Sequence, residues 1–334
     1  MTGSFLSQRA ALGTLLASFA LACVFSACAA ETKLKPEIIL MMTYPIGRFD
    51  IEVPKAFTLA IQTQKLRYVE ITEILWPKDV PREQARKQLW EARLSEINKL
   101  RPPKGKDKAL VETRELRGPG EWARSVLYLG NGASIKDGYW DMLAEMGTVA
   151  VWFKLSGLIQ YQDDMLKDLI EIARAHHSGD PLSRGLKGDW FYTRHGALNL
   201  PYLEQEKTYA RFEKHPLKLK LEVETKETHT DAPPDEGLLA RTAAVIASGY
   251  AAGVKIERIR SRKRTLSGIV GEEEVDRMKS KDDAKLSFAW IYSGKKDSGD
   301  FPEIKITMDA PDSQLDEKLK LWDALLDSFK PIGR

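Results

Sequence analysis

The chain carries the same order of hydrophobic patterns twice, and this order restricts the folds that it can adopt. Each pass begins with residues that alternate between apolar and polar, continues with a helical pattern, returns to strands and ends with a second helix. A doubly wound parallel sheet would instead need a helix after nearly every strand. Because hairpins replace that alternation, the sequence predicts an α+β fold of two similar lobes, each a largely antiparallel sheet packed with helices.

The first lobe is predicted over residues 36–178. A helix from Pro81 to Leu100 has a proline that suits its first turn and a Pro-Pro pair after it. A second helix is predicted to run through 165–173 and to end at His176 and His177. A Gly-Pro-Gly turn at 118–120 predicts a hairpin. Strands are predicted at 66–76, 109–116, 122–129, 139–146 and 148–155.

The second lobe is predicted over residues 189–334, after a segment rich in glycine and proline. Residues 197–201 resemble residues 50–54 in their alternation, which favours an internal duplication although the two halves share little sequence. The predicted elements of this lobe are a strand at 217–223, a helix at 236–250, strands at 254–266, 286–292 and 302–308, and a last helix at 315–329.

The first thirty residues are predicted to be a secretory signal peptide. Arg9 is the only charged residue before an apolar stretch over residues 10–25, and small residues follow it. Both cysteines, Cys23 and Cys28, lie in this segment, so cleavage at its end would leave a chain without thiols or disulfides. In the alternative, Cys28 is acylated as the first residue of a lipoprotein, because residues 25–28 form a degenerate lipobox.

The charge balance argues against nucleic acid as a partner. The chain has a formal net charge of +3, although thirty per cent of its residues are charged. Aromatic residues do not alternate with the basic ones, as they do in proteins that bind single strands. After the signal peptide, no segment is apolar enough to predict a membrane span.

The sequence lacks the constellations that carry catalysis. It contains no Gly-x-Ser-x-Gly elbow, and its five histidines do not have the spacing of metal ligands, so we expect them to be exposed at helix ends and in loops. The glycines at 130 and 132 lack the Lys-Ser/Thr pair of a phosphate loop. The sequence therefore predicts that the protein is not an enzyme and holds no metal or cofactor.

Four arginines alternate along the predicted strand at 254–266. Arg258, Arg260, Arg262 and Arg264 follow one another at period two, which predicts a basic stripe on one face of the strand. Such a stripe is able to bind phosphate, lipid headgroups or an acidic protein surface. The alternative is a solvated face neutralised by carboxylates such as Glu272.

The residues after this stripe resemble a known family. Gly268 and Gly271 lie between a basic strand and the acidic residues 272–274, which is typical of a tight turn that needs positive φ. Together with the aromatic strand at 288–292, this stretch resembles the C-terminal signature of immunity proteins that neutralise phospholipase effectors (lipase family 4) of the bacterial type VI secretion system. The residues that mark the resemblance are Arg264, Gly268, Gly271, Glu272, Trp290 and Trp322.

The resemblance implies a periplasmic inhibitor whose two lobes grip a cognate phospholipase effector and so protect the producing cell. Since recognition usually resides in loops held by a rigid sheet, we expect the contacts in the loops at 228–237 and 294–300 and along the basic strand. Two alternatives remain: an exported envelope lipoprotein or binding module of other specificity, and an exported hydrolase. The predicted contact residues are Arg258, Arg260, Arg262, Asp231, Asp235, Lys295 and Asp297.

Overall fold

The structure is a computed structural model that describes residues 40–333, except 133, 181, 183–187, 232–236, 248–253 and 282. The predicted signal peptide, with Cys28, and the predicted contact residue Asp235 lie outside the described residues. Within the described part of the chain, no helix combines the length and the apolar character needed to cross a membrane.

The first half of the chain contains nine strands and two α-helices among its described residues. The helices are α1 (Arg82–Asn98) and α2 (Gln162–Arg174), and the acidic residues in the first turn of α2 suit the positive end of its dipole. The strands are β1 (Met41–Ile46), β2 (Phe49–Pro54), β3 (Thr58–Leu66), β4 (Val69–Leu75), β5 (Leu110–Leu116), β6 (Trp122–Leu129), β7 (Asp137–Met146), β8 (Val149–Leu158) and β9 (His176–Ser178).

The second half repeats this series. Its helices are α3 (Leu238–Ala247) and α4 (Leu315–Ser328). Its described strands are β10 (Trp190–Tyr192), β11 (Gly196–Asn199), β12 (Lys207–Glu213), β13 (Lys220–Lys226), β14 (Lys255–Leu266), β15 (Ile269–Lys279), β16 (Ala284–Tyr292), β17 (Glu303–Pro311) and β18 (Lys330–Pro331).

One antiparallel sheet of twelve strands runs through both halves. Its order is β14-β15-β16-β17-β13-β12-β3-β4-β8-β7-β6-β5. Outward from the β3–β12 junction, the first half reads β3, β4, β8, β7, β6, β5 and the second half reads β12, β13, β17, β16, β15, β14. Since β3 pairs antiparallel with β12, the two halves are related by an approximate twofold axis between these strands. This topology is the one expected of the predicted duplication.

Each half completes its core with a hairpin from the other half. The β1–β2 hairpin pairs with β18, and its residues Phe49 and Ile51 are buried in one cluster with Trp322 of α4. The β10–β11 hairpin pairs with β9, and its residues Phe191 and Leu198 are buried with the first-half strands and α2. We call β1–β2 and β10–β11 the exchanged hairpins.

The structure bears out the α+β class and the antiparallel sheet but does not confirm two separate lobes. Residues 39–334 form one compact unit, in which the central sheet and the exchanged hairpins join the halves. The boundary placed between residues 178 and 189 stays a prediction. Strand β12, which joins the halves, was not predicted, and His176 and His177 lie in strand β9 rather than at the end of α2.

Candidate functional site

Three of the four alternating arginines surround one buried carboxylate. Glu273 on β15 has no exposed side-chain surface. Arg260 Nη1 donates to its Oε1 at 2.8 Å, Arg262 Nε donates to its Oε2 at 2.7 Å, and Trp322 Nε1 donates to Oε1 at 3.0 Å. A buried carboxylate with several charged donors is a stable arrangement only while all of its partners remain.

Helix α4 contributes the remaining negative charge of this network. Asp323 Oδ1 accepts hydrogen bonds from Arg260 Nη1 at 2.7 Å and from Arg264 Nη1 at 2.6 Å. Burial alone would raise the pKa of Glu273 and of Asp323. The arginine hydrogen bonds and charges outweigh burial in both cases, so both pKa values lie below their usual range. Arg260 and Arg264 therefore hold α4 against the sheet.

Arg258 does not belong to this stripe, which corrects the sequence prediction. A β-bulge between Arg258 and Arg260 shifts the register, so that Arg258 pairs with Asp276 while Arg260 pairs with Val275. Arg258 consequently lies on the opposite face, where its Nη2 is 2.6 Å from Glu274 Oε1. Asp276 is buried beside this pair, and burial, followed by the charge of Glu274, raises its pKa to about 6.

The glycine stretch is a turn, as predicted, but its two glycines act differently. Ser267 and Gly268 both have positive φ, at 45° and 86°, and form the two-residue turn between β14 and β15. The prediction that Gly271 needs positive φ was wrong. A Cβ at Gly271 would lie 2.4 Å from Cζ2 of Trp290, so the position requires glycine because the indole packs against its backbone.

The other residues that mark the resemblance are also structural. Trp290 is fully buried and donates from Nε1 to the carbonyl of Arg264 at 3.1 Å. Glu272 Oε2 accepts from the backbone N–H of Leu239 at 2.9 Å, which satisfies a donor in the first turn of α3. Trp322 binds Glu273, as described above. These residues fix the second-half sheet and its helices.

Two loops that the sequence predicts as contact segments lie side by side. We call residues 227–231, after β13, and residues 293–302, between β16 and β17, the loop pair. Asp297 N donates to the Thr228 carbonyl at 2.8 Å, and Lys296 N donates to Asp231 Oδ1 at 3.0 Å. Lys295 is exposed, with its Nζ 4.0 Å from the centre of the Phe301 ring. The structure thus brings Asp231, Lys295 and Asp297 onto one surface.

One buried histidine contradicts the expectation that the histidines are exposed. The His176 side chain has no exposed surface, and its Nε2 lies 2.8 Å from Glu73 Oε1. The same oxygen accepts from Thr193 Oγ1 at 2.6 Å, and Glu73 Oε2 accepts from the His195 N–H at 2.7 Å. Burial would raise the pKa of Glu73, but these hydrogen bonds and the His176 charge lower it overall.

This buried cluster does not have the geometry of a nucleophile with its base. An activated hydroxyl donates to a basic nitrogen, which an acid then orients. Here the Thr193 hydroxyl and His176 both bind Glu73, and all three side chains lie in the interior. The cluster ties β4 to β9 and to the loop between β10 and β11, so it stabilises the second exchanged hairpin.

Solved structures with the same architecture are immunity proteins of type VI secretion. The apo structure of the immunity protein TplEi from Pseudomonas aeruginosa aligns with a TM-score of 0.70 at 18% identity, over 88% of this chain and 97% of that chain. The Tle4–Tli4 complex gives the same TM-score and identity, over 88% of this chain and 98% of the matched chain. TplEi in complex with the "L" peptide aligns at 0.65 and 17% identity. The fold is shared.

The family comparison agrees with the structural one. Residues 194–331 match the family model of the Tle cognate immunity protein 4 C-terminal domain. The resemblance predicted from the glycine stretch and the aromatic strand is thereby confirmed, and the match covers the second half of the chain, where the marker residues lie. A search of curated proteins found no match.

Proposed function

We propose that the protein is a periplasmic immunity protein that binds and inhibits a cognate phospholipase effector of type VI secretion, and so protects the cell that makes it. The match of residues 194–331 to the immunity domain is the observation that carries this proposal. The shared architecture over 88% of the chain supports it. In this role the protein acts by binding, without chemistry of its own.

The proposed contact surface is the loop pair, with Arg262 as a candidate second contact. The loop pair presents the charged side chains of Lys295, Asp231 and Asp297. Hydrogen bonds from the backbone N–H groups of residues 296 and 297 fix one loop to the other. Arg262 keeps half of its side chain exposed, whereas Arg260 and Arg264 are largely buried in the Glu273 network. Exposed charges of this kind set partner choice and association rate more than they set affinity.

An inhibitor of a lipase has to cover the mouth of the active site or restrain the segment that opens it. A stable interface buries roughly 1,600 Å² in total, and a few buried anchors carry most of its energy. The twelve-stranded sheet supplies a rigid frame that can present loops over such an area. Because the halves form one compact unit, little entropy would be lost in ordering them on binding.

The function is tested with the mature protein and the phospholipase encoded in the adjacent reading frame. Phospholipase activity is measured on micelles while the protein is added from zero to a fivefold excess. We expect activity to fall linearly and to end near one equivalent, with a 1:1 complex on gel filtration. Undiminished activity at fivefold excess would refute the proposal.

The contact surface is tested by charge reversal in the loop pair. Lys295→Glu should weaken effector binding at least tenfold, and the loss should shrink at high salt because exposed charges are screened. Lys104→Glu is the matched control, since Lys104 is also an exposed loop lysine but lies in the first half. If both variants bind the effector as tightly as the unaltered protein does, the loop pair does not lie in the interface. The proposed inhibitor function would still stand.

A further inference from the structure

Three side chains in the loop pair converge as metal ligands do. Glu227, His229 and Asp297 each offer one ligand atom, and these atoms all lie within 4.8 Å of one another. His229 Nδ1 is 3.2 Å from Asp297 Oδ1 and 3.8 Å from Glu227 Oε1. Two ligands bound at about 2.1 Å to a tetrahedral ion lie about 3.4 Å apart, so these separations suit a shared ion.

The groups around the three ligands have the arrangement of an outer shell. The Glu227 side chain is 4% exposed, and its carboxylate accepts from Tyr202 Oη at 2.8 Å and from the Gln205 backbone N–H. The side-chain amide of Gln205 lies against His229 Nε2, the ring nitrogen that faces away from Asp297. The atom of Gln205 that faces the ring is the amide nitrogen Nε2. Turning the amide over would present its oxygen, which can accept the N–H that a metal-bound imidazole usually donates.

The charge balance at this position favours a cation. Within the described residues, no lysine or arginine forms a salt bridge with Glu227, and Asp297 has the exposed Lys296 with its Nζ 4.0 Å away. The other groups that bind the Glu227 carboxylate in the described residues, Tyr202 Oη and the Gln205 N–H, carry no positive charge. A buried carboxylate in a negative environment is costly unless a positive group compensates it.

We propose that Glu227, His229 and Asp297 form a binding site for a divalent transition-metal ion such as Zn²⁺. One imidazole and two carboxylates suit this class of ion, whereas calcium takes six to eight oxygen ligands. His229 and Asp297 are exposed, so the remaining coordination positions face solvent. The ion would join the loop after β13 to the loop before β17, since each loop supplies at least one ligand.

The proposal is tested on tag-free mature protein by calorimetric titration with ZnCl₂ and, separately, with CaCl₂. We expect one zinc ion per chain, no saturable calcium binding, and a rise in Tm when zinc is present. His229→Gln and Asp297→Asn should each weaken zinc binding at least tenfold while Tm without metal changes little. The conservative changes avoid the buried Glu227, whose loss could disturb folding.

His177→Gln is the matched control, because His177 is an exposed histidine of strand β9, outside the loop pair. It should bind zinc as the unaltered protein does. Saturable calcium binding without zinc binding, no zinc binding at all, or equal loss in His177→Gln would each overturn the proposal. Since no readout involves the effector, failure here is distinguishable from failure of the inhibitor function.

Discussion

Replacing Glu273 by alanine should lower the unfolding free energy more than the loss of any exposed ion pair would. The substitution removes the one carboxylate shared by Arg260, Arg262 and the Trp322 N–H, and it leaves that N–H buried without its acceptor. Breaking a buried ion network costs about 3–5 kcal/mol of unfolding free energy. Asp323 remains to neutralise Arg260, which keeps the loss from being larger.

Urea unfolding followed by tryptophan fluorescence measures this loss, since Trp290 and Trp322 lie beside the network. Glu273→Gln keeps the size of the side chain and separates the effect of charge from that of packing. Glu303→Ala is the surface control: its carboxylate is 3.9 Å from Lys226 and both side chains are exposed, so we expect at most about 1 kcal/mol.

The pKa of Glu273 also predicts how its contribution to the unfolding free energy changes with pH. Because the pKa of Glu273 in the folded protein lies below its usual value of 4.5, the stabilisation is present above pH 4.5 and is lost as the pH falls through the folded pKa. The difference between Glu273→Gln and the unaltered protein should therefore be largest near pH 7 and shrink toward pH 3. A loss below about 1 kcal/mol for Glu273→Ala, or a Glu273→Gln difference independent of pH, would refute the reasoning.

Three further predictions concern stability. Asp276→Asn should raise the unfolding free energy by up to about 3 kcal/mol at pH 8. Burial raises the pKa of Asp276 to about 6, so above that pH the folded protein has to keep a buried carboxylate ionised, which is costly. The gain should vanish near pH 4 in the same urea assay. Gly271→Ala should lower Tm more than Gly268→Ala, since a Cβ at 271 meets Trp290 while one at 268 meets open space and only backbone strain; equal Tm losses would contradict this account. Deletion of residues 330–334 should lower Tm by removing the strand that pairs with β2, and an unchanged Tm would show that this strand contributes nothing.

The elements of the fold follow largely from local patterns. The alternation in β13 and β17 and the helical spacing of Leu321, Trp322 and Leu325 indicate which faces are buried. The turn at Ser267 and Gly268 follows from the requirement for positive φ. These signals are local because the backbone period and the turn geometry depend on few neighbouring residues.

The arrangement of these elements depends on contacts that local patterns do not encode. The bulge that moves Arg258 to the other face leaves the spacing of the arginines unchanged, so a period of two predicted one continuous stripe. An exchanged hairpin has the same alternation whichever core it enters. The juxtaposition of His229 with Asp297 joins residues 68 positions apart, and only the register of β13 with β17 brings them together.

The exchanged hairpins have a consequence for how the chain must assemble. Separately produced half-chains would each lack a hairpin of their own core, and would have to meet at high concentration to complete it. The covalent link between β9 and β10 replaces that encounter with an intramolecular step, whose effective concentration does not depend on how much protein is present. Folding of the complete chain is therefore independent of protein concentration, which would suit the proposed inhibitor even where few copies are made.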